Sequence, residues 1–158
     1  MEIFDPESKY LTKRFKLFWV DSQAKGIDPF LTEAETLGIP VLNIGKEISL
    51  FFSEHSGSKF LSLETEEELK RIINQNSKIW KSGNPAIAIY NLGILLEPAI
   101  KIDGAKIIKE LSKDISIIIL WEALMSEPAY FYWTKENDEY GFNFSDTNIN
   151  KITLQYEV

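Results

Sequence analysis

The residues of this chain that could perform chemistry are acids, lysines and hydroxyls, because its 158 residues include no cysteine and one histidine. That composition removes thiol catalysis, Cys-ligated zinc, iron–sulfur clusters and disulfide scaffolds. His55 alone builds neither a triad nor a His-rich metal site and reads as a surface turn residue. What remains is phosphate chemistry, which needs neither residue type. It needs a strand–loop–helix in which glycine N–H groups wrap a phosphate, a lysine reaches the outer phosphates, and a Ser or Thr holds magnesium. VDSQAKGIDPF (Val20–Phe30) occupies that position, and Ser22, Lys25 and Gly26 are its phosphate-contacting candidates if a nucleotide binds. The rest of the motif is missing. Gly26 is its sole glycine, and Ile27 and Asp28 stand where the lysine and hydroxyl belong. Asp21 and Asp28 place negative charge beside the anion, which opposes binding. An ordinary strand–helix connection is the preferred reading.

A nucleotide hydrolase of such a sheet also carries an acid at the end of a neighbouring strand to hold the magnesium-bound water. AIAIYNLG (Ala86–Gly93) offers Tyr90 and Asn91 there, and the neutral Asn91 cannot supply the charge. Two independent losses argue against hydrolysis more strongly than either alone. No catalytic residue, metal ligand or resident cofactor is therefore assigned. A nucleotide held by Ser22, Lys25 and Gly26 is the one cofactor alternative.

Charge narrows the partners. With 17 Lys+Arg against 24 Asp+Glu the net charge is −7, which disfavours a broad nucleic-acid face. The exception would be a local patch at Lys9, Lys13, Arg14 and Lys16, for which a solvated helix face is the simpler account. Glu64, Glu66, Glu67 and Glu68 fit a helix N-terminus, where the dipole favours acids, better than a metal cluster. Trp121-Glu122 follows a buried strand and suits packing rather than catalysis. Tyr130, Phe131, Tyr132 and Trp133 are consecutive, so in a strand alternate members face opposite sides. Tyr130, Tyr132 and Trp133 are the partner-binding candidates, against sheet-edge packing as the competing account.

These residues must be positioned by a regular frame. The apolar runs KLFWV (Lys16–Val20), IPVLNI (Ile39–Ile44), AIAIY (Ala86–Tyr90) and SIIILW (Ser116–Trp121) read as buried strands. Amphipathic helices separate them. One is capped by Asp28, with Pro29 at its first position and Gly38 at its stop; another covers KEISLFFSEH. A third opens on a Thr65–Glu68 capping box, keeps Leu69, Ile72, Ile73 and Trp80 on one stripe, and stops at SGNP (Ser82–Pro85). A fourth is capped by Asp103. A short helix over Asp5–Lys13, a turn at Asn137–Gly141 and an alternating strand with Ile152, Leu154 and Tyr156 complete the reading. Continuous apolar strands between such helices predict an α/β three-layer sandwich with a mainly parallel central sheet, closed by a C-terminal edge strand or hairpin. One domain over residues 1–158 is expected, since no linker or repeat divides the chain. The N-terminal MEIFDPESKY lacks the features of a signal peptide, and no apolar run is long enough to span a bilayer, so a cytoplasmic protein without membrane partners is expected.

IPVLNIGKEIS (Ile39–Ser49) and YNLGILLEPAIKIDGAKIIKELSKDISIIILWEA (Tyr90–Ala123) resemble segments of the small P-loop protein of BREX phage-resistance systems. Order and spacing agree from about Leu17 onward, through patterned apolar segments plus Asn43, Glu47, Pro98, Asp103, Ser112 and Trp121. The resemblance implies a P-loop NTPase-like fold and a place in a multi-protein defence complex. Members of that family carry a glycine-rich loop ending in Lys-Ser/Thr and an acid after the third strand, which would fall on Asp21–Asp28 and on Tyr90 or Asn91. Neither matches, so no catalytic residue carries over. The expected function is a non-catalytic adaptor of a phage-defence complex. The alternatives are a nucleotide-binding regulatory subunit with a reduced loop, and a nucleic-acid-binding accessory protein.

Overall fold

The computed structural model describes residues 15–21, 27–81, 83–121, 123–126, 129–132, 135, 140–147 and 149–152. Five parallel strands form the central sheet: β1 (Leu17–Asp21), β2 (Val41–Asn43), β4 (Pro85–Tyr90), β5 (Ser116–Trp121) and β9 (Asn150–Lys151). Their spatial order is β2-β4-β5-β1-β9, and the short β3 (Lys78–Ile79) pairs antiparallel with the start of β4. All six residues of the interior strand β5 are buried, which is why SIIILW carries apolar residues on both faces.

Helix α1 (Asp28–Leu37) lies over one face, where Phe30 and Ala34 join Phe18, Val20, Ala86, Ala88, Ile118 and Leu120. Helices α2 (Ile44–Glu54), α3 (Leu61–Asn76) and α4 (Gly104–Leu111) cover the other, with Ile48, Leu69, Ile73 and Ile108 against Leu17, Ile87, Ile89, Ile117 and Ile119. That face also carries a three-stranded antiparallel sheet of β6 (Leu124–Ser126), β7 (Tyr130–Tyr132) and β8 (Gly141–Asn143). Phe131, Phe142 and Phe144 face Trp19 and Trp121, with Trp121 meeting Phe131 and Phe142 edge-on at 5.8 Å. The predicted α/β class with a mainly parallel sheet is therefore observed. The terminal edge strand is β9, which runs parallel to β1. Among the described residues, no helix is long and apolar enough to cross a membrane.

Several boundaries differ from the sequence reading. Asp28 is the first residue of α1 rather than its cap; Ile27 holds the cap position and its carbonyl accepts from the N–H groups of Phe30 and Leu31. Gly38 ends α1 as expected, at φ 74°, a left-handed conformation that glycine adopts without steric penalty. Thr65 does not open α3. It is fully buried inside the helix, its hydroxyl donating to Leu61 O at 2.7 Å, and Glu68 pairs with Arg71 instead. The buried face continues about two turns back from Leu69 through Thr65 to the half-buried Leu61, so burial extends the helix past the capping signal. Trp80 leaves the α3 stripe altogether. Helix α3 ends at Asn76, the chain enters β3, and Trp80 packs under α1, where its Nε1 donates to Leu37 O at 3.0 Å. The Pro85 region thus closes a β3–β4 hairpin, with Trp80 N donating to Asn84 O, rather than stopping a helix. The KEISLFFSEH helix begins earlier, at Ile44, because Asn43 caps it by accepting from Lys46 N at 3.0 Å.

The predicted Asp5–Lys13 helix lies outside the described residues, as do the alternating positions Leu154 and Tyr156. The Asn137–Gly141 turn falls outside them except for Tyr140 and Gly141.

Candidate functional site

In open parallel sheets a ligand crevice forms at the carboxyl ends of neighbouring strands whose following segments leave to opposite faces. β1 and β5 meet that condition. They pair in register with Asp21 opposite Trp121; α1 follows β1 onto one face, and the small sheet follows β5 onto the other. The loop carrying Ser22, Lys25 and Gly26 follows β1 in the chain, and those three residues lie outside the described ones. Trp121 does not line an open site: it is 2% exposed and sits in the aromatic layer. Glu122 is outside the described residues.

The neighbouring strand ends are tied together. Asn91 adopts φ 59° immediately after β4, and its Nδ2 donates to Asn43 Oδ1 at 2.9 Å. The same oxygen accepts from Lys46 N, so one side chain caps α2 and holds the end of β4. Gly45 is required beneath this bridge, because a Cβ there would fall 2.3 Å from Asn91 Nδ2. The residue standing where a magnesium-holding acid would be is thus engaged in joining β2 to β4. Asn43→Ala is expected to lower stability by about 1 kcal/mol through loss of the cap, read from urea unfolding midpoints. Asn43→Asp, which keeps the acceptor, should stay near wild type, and equal losses in both variants would sink this account.

Four residues that carry the family resemblance have structural roles. Asn43 caps α2, and Asp103 caps α4 by accepting from Lys106 N at 3.1 Å. Ser112 is buried at the end of α4, where its carbonyl accepts from Lys16 N at 2.8 Å, and Trp121 is core. Lys16 Nζ donates to Lys113 O at 2.9 Å, so this member of the proposed basic patch anchors β1; Lys9, Lys13 and Arg14 are outside the described residues. His55 stacks on Phe51 at 4.0 Å, with Nδ1 in hydrogen-bond contact with Phe51 O. Glu64 accepts from Ser58, Glu66 pairs with Lys70 and Glu68 with Arg71, and among the described residues no three acidic or histidine side chains gather as a metal-binding group.

The aromatic strand behaves as its alternation predicts. Phe131 is buried, whereas Tyr130 and Tyr132 lie half-buried on the opposite face of β7, stacked at 5.8 Å. Trp133 lies outside the described residues. Opposite Tyr132, Gly141 sits under the Tyr130 ring.

A feature not legible in the sequence is a cleft of about 860 Å³ beside the first turns of α4 and β8. Leu96, Lys101, Ile102, Lys106, Gly141 and Asn143 are among the residues that line it. Among its lining residues Lys109 bonds to Asp146, and that hydrogen bond, aided by the lysine charge, holds the Asp146 carboxyl below its usual range against an opposing desolvation. Lys109→Met should raise the Asp146 titration midpoint toward the ordinary aspartate value in carboxyl-carbon NMR; an unchanged midpoint would overturn the assignment.

No protein-family model, curated protein or solved structure matches this chain.

Proposed function

We propose that the protein is a non-catalytic, P-loop-like adaptor that binds other protein subunits in the cytoplasm, within a phage-defence complex of BREX type. The observation that carries this reading is the stacked Tyr130–Tyr132 pair on the outer face of the small sheet. Half-buried tyrosines supply apolar area and hydrogen-bonding capacity at little entropic cost, the character of an interface anchor. The absence of charge chemistry at Asn91, whose amide is engaged with Asn43, supports a non-catalytic role. Gentle affinity purification from the native host should recover partner subunits, and Tyr130→Ala with Tyr132→Ala should release them. Recovery of the bare protein alone would overturn the reading.

One observation favours a second reading, a nucleotide-binding regulatory subunit. The loop after β1 follows the carboxyl end of a parallel strand, the position at which Ser22, Lys25 and Gly26 would meet phosphate. That reading requires ATP or GTP binding that weakens in Lys25→Ala; flat calorimetry at millimolar nucleotide with magnesium would remove it.

A further inference from the structure

We propose that the outer face of α2 and α3 docks a second copy of this chain, giving a two-fold dimer. This goes beyond the adaptor reading and uses a different surface from Tyr130 and Tyr132.

Among the described residues, Leu50, Phe60 and Leu63 are large hydrophobics left exposed, at 53%, 68% and 55%, and all three belong to this helix pair and its turn. Helix geometry places them. Ile48 and Thr65 are buried, and Leu50 and Leu63 each stand two residues away, roughly 200° around their helices. Phe60, three residues before Leu63, shares its side. Both helices bury their inner faces on the same face of the central sheet, so their far sides point away from it together. Leu50 is one turn from the end of α2 and Leu63 is in the first turn of α3, which sets the two leucines at similar height. The connecting turn is held in place: His55 stacks on Phe51 at 4.0 Å, Phe60 N donates to Ser58 Oγ at 3.2 Å, and Ser58 Oγ donates to Glu64 Oε1 at 2.7 Å. Single exposed apolar residues are ordinary, but a gathered set marks a contact surface.

Charges on the same stripes select the occupant. The neighbours four residues either side of Leu50 are Lys46 and Glu54; those of Leu63 are Lys59, in the turn, and Glu67. Each stripe therefore carries Lys, Leu and Glu in chain order. All four charged residues are exposed, and none has an ion-pair partner among the described residues. Other charges of α3 pair among themselves, Glu66 with Lys70 and Glu68 with Arg71, and Glu47 is half-buried on the flank of α2. A closed dimer meets itself through a two-fold axis. An axis across the helices sets α2 antiparallel on its copy, with Lys46 of one protomer against Glu54 of its partner and Leu50 against Leu50. The same axis brings Lys59 against Glu67 and Leu63 against Leu63. An axis along the helices sets α2 on the copy's α3, again antiparallel and again with lysine on glutamate. The face is thus complementary to itself in either arrangement. A uniformly acidic or basic partner would meet like charge at half of these four positions.

The test is sedimentation velocity of the full chain across a dilution series. A concentration-dependent monomer–dimer equilibrium is expected, and Leu50→Ser with Leu63→Ser should raise its Kd by ~30-fold. One variant carries Lys46→Glu with Lys59→Glu, and another carries Glu54→Lys with Glu67→Lys. Each should self-associate ~10-fold more weakly than wild type, because like charges then face each other across the axis. An equimolar mixture of the two should regain wild-type affinity as a heterodimer, which also shows that both variants are folded. A monomer at every concentration, a dimer indifferent to the leucine changes, or a mixture that associates no better than either variant alone would each overturn the proposal. A monomer that still recovers partner subunits from the host would remove this dimer and leave the adaptor reading standing. A dimer that recovers none would remove the adaptor reading and leave this face.

Discussion

Trp121→Ala is expected to lower stability by about 3–5 kcal/mol, the range for deleting a large buried aromatic. Trp121 is 2% exposed and ends the fully buried strand β5. Its ring meets Phe131 and Phe142 edge-on at interplanar angles of 71° and 88°. Those contacts join the central sheet to the small one, so truncation opens a cavity between two layers that close-packed neighbours cannot fill by small shifts. A midpoint fall on the order of 10 °C should accompany the loss, and Trp121→Phe should recover much of it. A loss below about 1 kcal/mol in urea unfolding would show that the two sheets are not joined through this residue.

The second large effect concerns Gly141. A Cβ there would lie 2.6 Å from Phe131 O and 2.6 Å from Tyr130 Cζ. A flexible side-chain tip could move aside, but Phe131 O belongs to the β7–β8 ladder, in which Phe131 pairs with Phe142. Gly141→Ala is therefore expected to cost about 1–3 kcal/mol as an overpacking change. The damage should be local, appearing as faster amide exchange in β7 and β8 before the central sheet is affected. Wild-type exchange in those strands would contradict the close approach. The same variant should disturb the Tyr130–Tyr132 pair, so partner recovery and local exchange are expected to change together.

The strands of the central sheet were legible because burial on both faces demands continuous apolar runs, and KLFWV, AIAIY and SIIILW have them. Gly38 and Asp103 were legible for a local reason: a left-handed stop and an N-cap depend on backbone within a few residues. Thr65 and Trp80 were misread because the deciding contacts are distant. Ser62 bonds Ile100 O and extends α3 backwards, while Leu37 O receives the Trp80 indole from across the sheet face. Neither partner can be found from spacing. The candidate tyrosines were readable to the extent that a strand alternates; their stacking on one face also required the register of β7.

By itself, then, the sequence determined the main strands and helices of the central sandwich, the missing chemistry of Cys and His, and the mismatch of acids and lysines to a phosphate loop, since all of these depend on residue type and short-range order. Tertiary structure alone decided the strand order that sets the end of β1, at Asp21, beside the end of β5, at Trp121. It also decided the bridge from Asn91 to Asn43, and the cleft lined by Lys101 and Lys106 together with Gly141 and Asn143. Each of these joins residues far apart in the chain. Contacts at such separation are fixed by how buried faces pack, which local pattern constrains only as a set of alternatives.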